Sequence, residues 1–181
     1  GVQPFGGEGL SGTGPKAGGP LYLYRLLSTR PVDAVQKSFA NRDAEAAPDT
    51  RLRENLLKPL IALKAWAASQ QLTELDALCA QFAEQSQSGV TRLLAGPTGE
   101  RNSYSILPRE HVLCLTDDEA DLLTQLAAVM AVGSTAIVPD SELSKPLYKR
   151  LPKDVQARIK LVSDWSKDDV VIDAVLHHGD S

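Results

Sequence analysis

Eight of the chain's 13 glycines fall within its first twenty residues, GVQPFGGEGLSGTGPKAGGP, with Phe5 set inside the cluster. Glycine tolerates positive φ and has no side chain to hold a bound group away, so the N–H groups of such a stretch can reach a ligand directly. Flexible linkers rarely carry placed Phe and Pro as well, which marks this as a shaped binding loop. Other reactive groups are sparse. Cys79 and Cys114 sit in apolar segments with no CxxC spacing and no neighbouring histidine, the pattern of buried free thiols in a reducing cytoplasm rather than of a metal site or nucleophile. His111 opens a strand-like run, and His177-His178 end another beside Asp180, so the histidines form no dyad and the last two read as a solvated strand end.

A literal G-x-G-x-x-A occurs at Gly12-Thr13-Gly14-Pro15-Lys16-Ala17, but no apolar strand precedes it and Pro15 interrupts the turn. A dinucleotide fingerprint needs that strand, plus an acidic residue some way on in a βαβ context. Lys16 equally lacks the spacing of a phosphate-loop lysine.

The elements that would position these groups are read from periodicity. Leu21 to Leu27 fits a short helix or a strand equally well, and residues 28–51 are polar and aperiodic, a connecting segment. Leu56, Leu57, Leu60, Ile61, Leu63 and Trp66 recur at helical spacing, with Pro59 near a helix start or kink. A second helix places Leu72, Leu75, Leu78 and Phe82 on one face, with Thr73 and Asp76 as a cap-like pair, and the two suggest a helical hairpin. After a turn at Gly96-Pro97-Thr98-Gly99 the pattern alternates: strand 111–115, helix 117–132, strand 134–138, helix 142–150, strand 158–162 and strand 170–172 running toward Leu176. Strands alternating with helices predict a Rossmann-like α/β fold, a doubly wound parallel sheet.

Such a sheet invites a nucleotide, and pyrophosphate needs open amides and little negative charge where strand gives way to helix. Here the first such turn is Thr116-Asp117-Asp118-Glu119, read as a capping box of Thr116 with Glu119 and two further carboxylates. That charge repels phosphate.

Pro4-Phe5-Gly6-Gly7, Leu10-Ser11-Gly12-Thr13-Gly14 and the run KAGGPLYLYRLL resemble the end of the aldehyde dehydrogenase domain of the proline utilization A family, bacterial fusions of proline dehydrogenase with glutamate semialdehyde (pyrroline-5-carboxylate) dehydrogenase. The resemblance implies that Gly18 and Gly19 hold the carboxylate of glutamate semialdehyde through their N–H groups, and that Phe5 lines the aldehyde channel. The segment GPTGERNSYSILPREHVLCL resembles the extra domain of the long members, an aldehyde dehydrogenase-type nucleotide domain that covers the passage between the two active sites. The family's ribose-holding segment, Lys-Pro-Ser/Ala-Glu, is altered to Val138-Pro139-Asp140-Ser141-Glu142, which implies a degenerate domain without NAD. The cysteine nucleophile of the family is missing, so the chain is expected to supply no catalytic residue, no metal ligand and no cofactor of its own, while the parent carries NAD and FAD. The resemblance further implies a homodimeric parent in the cytoplasm or peripheral at the inner membrane.

Composition is compatible with this. A chain of 181 residues, 43% of them hydrophobic, can bury a full core, and a net charge of −4 gives no electrostatic basis for binding nucleic acid or anionic membrane. No stretch approaches the roughly 20 apolar residues of a membrane span. The expected organisation is the end of a catalytic domain with the anchor loop at 1–30, a linker at 31–51, the helical hairpin at 52–95 and the degenerate domain at 96–181. Gly1 in place of Met and the ending HHGDS read as cuts. Two rival classes stand beside it: an oligomerisation or interaction module with the glycine loop as an arm, and an independent NAD-binding domain.

Overall fold

The computed structural model describes residues 5–6, 16–19, 22–29, 31, 50–94, 99, 101–167 and 170–179. Two compact units divide the chain, Gly1–Thr50 with Gly89–Ile106, and Arg51–Ser88 with Leu107–Ser181. Most of the linker, the Gly96-Pro97-Thr98 part of the expected turn, Gly12 to Pro15, and Asp180 lie outside the described residues.

In the first unit, Phe5 and Ala17 form an isolated antiparallel bridge. Leu23–Leu26 is one short 3-10 segment, which resolves the helix-or-strand ambiguity of that run. Strand β1 (Thr91–Leu94) pairs antiparallel with β2 (Asn102–Ser105), Leu94 opposite Asn102 and Thr91 opposite Ser105.

The second unit begins with helix α1 (Thr50–Ser69) and helix α2 (Thr73–Gln85). They run antiparallel, since the Arg53 guanidinium donates to the Ala83 carbonyl at one end and Lys64 meets Asp76 at 2.7 Å near the other. The connection is a Schellman-type cap: Leu72 N–H reaches back to the Ala67 carbonyl, Gln71 N–H to that of Ala68, and Gln71 itself takes φ +60°. Leu72 occupies the cap of α2 with no side-chain bond, so the expected Thr73–Asp76 pair is not formed. Asp76 turns to Lys64 instead. Pro59 lies within α1.

Strand β3 (His111–Leu115), helix α3 (Glu119–Ala131), strand β4 (Thr135–Pro139), helices α4 (Ser144–Arg150) and α5 (Lys153–Gln156), and strands β5 (Ile159–Val162) and β6 (Ala174–His177) complete it. All three sheet pairings are parallel, in the order β5-β4-β3-β6. The central β3 and β4 are buried along their middles, as strands covered on both faces must be. Val112, Cys114, Ala136 and Val138 point into one core with Leu60, Leu63, Leu75, Leu126, Met130, Leu147 and Val155 from the helices. Leu113 and Ile137 point the other way, into a small cluster with Val162, Leu115, Val170 and Ile172.

The parallel order, with its reversal at β3, agrees with the expected doubly wound layout, and what differs is how the second face is covered. The chain progresses from β3 through β4 to β5 and then returns to the far side of β3, and with right-handed connections this reversal sends the next crossover over the opposite face. Among the described residues that crossover, 163–173, contains no helix. Val170 and Ile172, expected in a strand, are loop residues that cover Leu113 and Ile137, and β6 begins only at Ala174.

Candidate functional site

The glycine loop is organised around two short pieces. Phe5 N–H donates to the Ala17 carbonyl at 2.8 Å, Ala17 N–H donates to the Phe5 carbonyl at 2.7 Å, and the Lys16 ammonium donates to the Gly6 carbonyl at 2.8 Å. Gly19 N–H closes onto the Lys16 carbonyl at 3.0 Å, forming a four-residue turn whose third residue, Gly18, has φ +77°. A positive φ at that position is the signature of a type II turn, which glycine occupies without steric cost. A Cβ on Gly18 would meet no heavy atom within 4 Å among the described residues. The turn therefore engages the Gly19 N–H, whereas no described acceptor faces that of Gly18. Phe5 is 83% exposed. The structure thus brings Phe5, Gly18 and Gly19 into one loop, with one of the two predicted amide donors already used.

The other place to look is the carboxyl end of the sheet, where the strand order reverses between β3 and β6, the usual position of ligands in open α/β sheets. A crevice of about 240 Å³ lies there, lined by Thr116, Asp117, Ser141, Ser144, His177 and His178 among others. Its helix-end donors beside Asp118 and around Ser141 and Ser144 are engaged internally. Asp118, not Thr116, caps α3: one carboxylate oxygen accepts the N–H groups of Ala120 at 2.8 Å and Asp121 at 3.1 Å, while the Thr116 hydroxyl oxygen accepts the N–H of Asp118. A phosphate would have to displace that carboxylate from the helix dipole. After β4, the Ser144 hydroxyl donates to the Pro139 carbonyl at 2.6 Å and accepts the Ser141 N–H, and Ser141 Oγ accepts the Ser144 N–H. Asp140 pairs with Lys145 at 2.9 Å, and that hydrogen bond raises the Lys145 pKa.

Sequence reasoning missed Gln125. It sits on α3 with 1% exposure, and its Nε2 donates to the Leu115 carbonyl at 3.0 Å and meets His178 Nδ1 at 2.9 Å. His178 N–H donates to the same Leu115 carbonyl, so α3, β3 and the end of β6 are tied at one oxygen. A lone glutamine on the apolar face of a helix was the available signal. His178 is thus an exposed strand end, as expected, that is also bonded to Gln125. His111 Nδ1 is buried without a partner among the described residues, while the backbone N–H groups of Glu110 and His111 both donate to the Asp173 carboxylate.

Burial, with Asp76 nearby adding to it and Lys64 opposing, pushes the Cys79 thiol up to about 11, and burial alone pushes Cys114 up to about 12. Neither is a poised nucleophile. Among the described residues no cluster of His, Cys, Asp and Glu has metal-binding geometry, and no helix is long and apolar enough to cross a membrane.

Comparison with known proteins gives the context for the loop. The chain is 59% identical over all 181 residues to the bifunctional protein PutA of Klebsiella aerogenes, and 56% identical over the same length to that of Escherichia coli K12. This chain matches a PutA segment along its whole length. It spans 14% of each of those relatives, and over 168 residues it is 36% identical to the bifunctional protein PutA of Rhizobium meliloti, 12% of that protein. No family model matches the chain.

Proposed function

We propose that this chain acts within a PutA-type bifunctional enzyme that oxidises proline to glutamate, where its glycine turn anchors the carboxylate of glutamate semialdehyde and its α/β unit is a nucleotide-free domain covering the cavity through which the intermediate passes. One observation carries the reading: the Phe5–Ala17 bridge joins the Phe5-Gly6 and Lys16–Gly19 pieces into a single loop in which the Gly18 N–H has no acceptor among the described residues. A carboxylate takes that N–H and shares or draws out the Gly19 N–H from its bond to Lys16, with Phe5 as an apolar wall beside it. The small aldehyde is thereby oriented by its acid end.

NAD and FAD, assigned here to other parts of the polypeptide, supply the electron-acceptor chemistry. The residues of the α/β unit do not fit a dinucleotide, because Asp118 already fills the amides that a pyrophosphate would need. A domain without reactive groups can still serve as a cover. Pyrroline-5-carboxylate and its hydrolysed semialdehyde are small and water-soluble, so a cavity holding them would leak without one. In this reading the parent is a cytoplasmic homo-oligomer and the fragment alone is not an enzyme.

The test is Gly18→Val with Gly19→Val in the full-length enzyme. The expected result is a rise in semialdehyde KM of roughly a hundredfold, the loss of two charge-assisted hydrogen bonds, with proline dehydrogenase activity and oligomeric state retained. An unchanged KM removes the anchor. Saturable micromolar binding of NAD to this chain would remove the nucleotide-free assignment.

A second reading, an arm that packs on a neighbouring surface, draws on the exposure of Phe5 (83%), Leu23 (72%) and Leu26 (67%). The same double variant separates the two, since an arm predicts a changed oligomer at constant KM.

A further inference from the structure

Lys16 takes part in both halves of the glycine loop. Its carbonyl accepts the Gly19 N–H that closes the turn, and its ammonium crosses to the Gly6 carbonyl at 2.8 Å. Between these two contacts stands the Phe5–Ala17 bridge, an isolated pair of hydrogen bonds among the described residues. Two chain segments joined at one pair can pivot about it. The Lys16–Gly6 bond adds a third point next to the bridge and on the side of the turn, which fixes the angle at which the turn is presented. Gly6 gives the crossing room: a Cβ there would come within 3.1 Å of Lys16 Cδ, so the lysine stem would have to give by a few tenths of an ångström.

From this we infer that Lys16 is a positioning residue for the anchor, clamping the Phe5–Gly6 segment to the turn that presents Gly18 and setting a positive charge on the residue that opens that turn. The inference rests on the anchor reading of Gly18 and Gly19. A clamp of this kind acts on substrates that carry a carboxylate and is silent toward those that do not, because only the former use the turn. It also explains why a lysine serves here: its long stem reaches across the bridge, and its ammonium makes a charge-assisted bond to a neutral carbonyl, stronger than a neutral pair.

The experiment compares Lys16→Met, Lys16→Arg and Gly18→Val in the full-length enzyme, each assayed with glutamate semialdehyde and with butanal, an aldehyde lacking the carboxylate. Lys16→Met is expected to raise the semialdehyde KM about tenfold, the worth of one charge-assisted bond, with kcat and the butanal kcat/KM little changed. Lys16→Arg, which keeps a long cationic donor, restores most of the loss. Proline dehydrogenase activity reports folding, and Lys16→Gln replaces the Met variant if that activity is lost. If Gly18→Val raises the semialdehyde KM while Lys16→Met does not, the clamp is wrong and the anchor stands. If Lys16→Met lowers kcat/KM equally for both aldehydes, the residue supports the whole site and the inference is again overturned. If Gly18→Val itself leaves KM unchanged, the anchor reading falls and takes the clamp with it.

Discussion

The turn at Gly18 and the first turn of α3 offer the same raw material, main-chain N–H groups gathered at a point, and they differ in what occupies those groups. At α3 the acceptor is built in, because the Asp118 carboxylate takes the N–H groups of Ala120 and Asp121. At Gly18 the N–H has no described acceptor, and the adjacent lysine brings a positive charge rather than a negative one. If the Gly18 turn is the proposed anchor, an anion site depends less on donors being present than on whether a carboxylate of the chain already occupies them. The same contrast holds for two glycines of nearly equal backbone angle. Gly18 at φ +77° faces open space, whereas Gly133 at φ +78° ends α3 against Leu56.

Substituting those glycines gives the largest effect. Gly133→Ala would place a Cβ 2.7 Å from Leu56 Cδ2 in a left-handed conformation. The combined strain and overpacking should lower the unfolding free energy in urea by about 3 kcal/mol. Gly18→Ala meets only the backbone penalty and should shift it by about 1–2 kcal/mol. Equal shifts would erase the distinction between a glycine kept for packing and one kept for access.

Next in size is Asp118→Ala, which removes the cap of α3 and should cost about 1 kcal/mol. It also frees the amides, so sulfate should raise the melting temperature of the variant more than that of the parent chain. If sulfate acts equally on both, the carboxylate is not what keeps anions from this helix.

A pH-dependent effect concerns the thiols. Their folded pKa values are raised, so the stabilisation is whole below the ordinary value of 9.0 and is lost as pH rises through about 11 for Cys79 and about 12 for Cys114. Between about pH 8 and about pH 10.5 the urea midpoint should fall, and fall less steeply in Cys114→Ala. Parallel slopes would show that Cys114 is not held in a dry core.

Much of the α/β unit was legible because its signals are local. HVLCL and TAIVP are short apolar runs bounded by polar turns, and α3 carries an apolar stripe over thirteen residues. Errors arose where one local signal had two physical uses. Val170-Val171-Ile172 has the composition of a strand, yet Val170 and Ile172 serve to cover a sheet face as a loop. Thr116 and Asp118 are both good caps, and only the path of the chain selects Asp118. The pairing of β1 with β2 was missed because TRLL and NSYS carry little strand preference, and the paired residues lie eight or more positions apart. In the glycine loop the residue types were legible, but the Phe5–Ala17 bridge and the lysine crossing were not, since both join residues ten or more positions apart through backbone groups that every residue possesses.

The return of β6 to the far side of β3 has a thermodynamic reading of its own. Closing a longer stretch of chain adds only about 0.6 kcal/mol for each doubling of its length, so reversing the direction of strand addition demands little ordering entropy. The demanding part is the fresh apolar floor that the reversal uncovers, Leu113 and Ile137 on strands that can no longer lean on α3. Here two side chains of an irregular segment roof that floor where a whole helix would ordinarily lie. A sheet of this order can thus dispense with half of its usual armour, provided that the few atoms replacing it fall on the two strands at its centre.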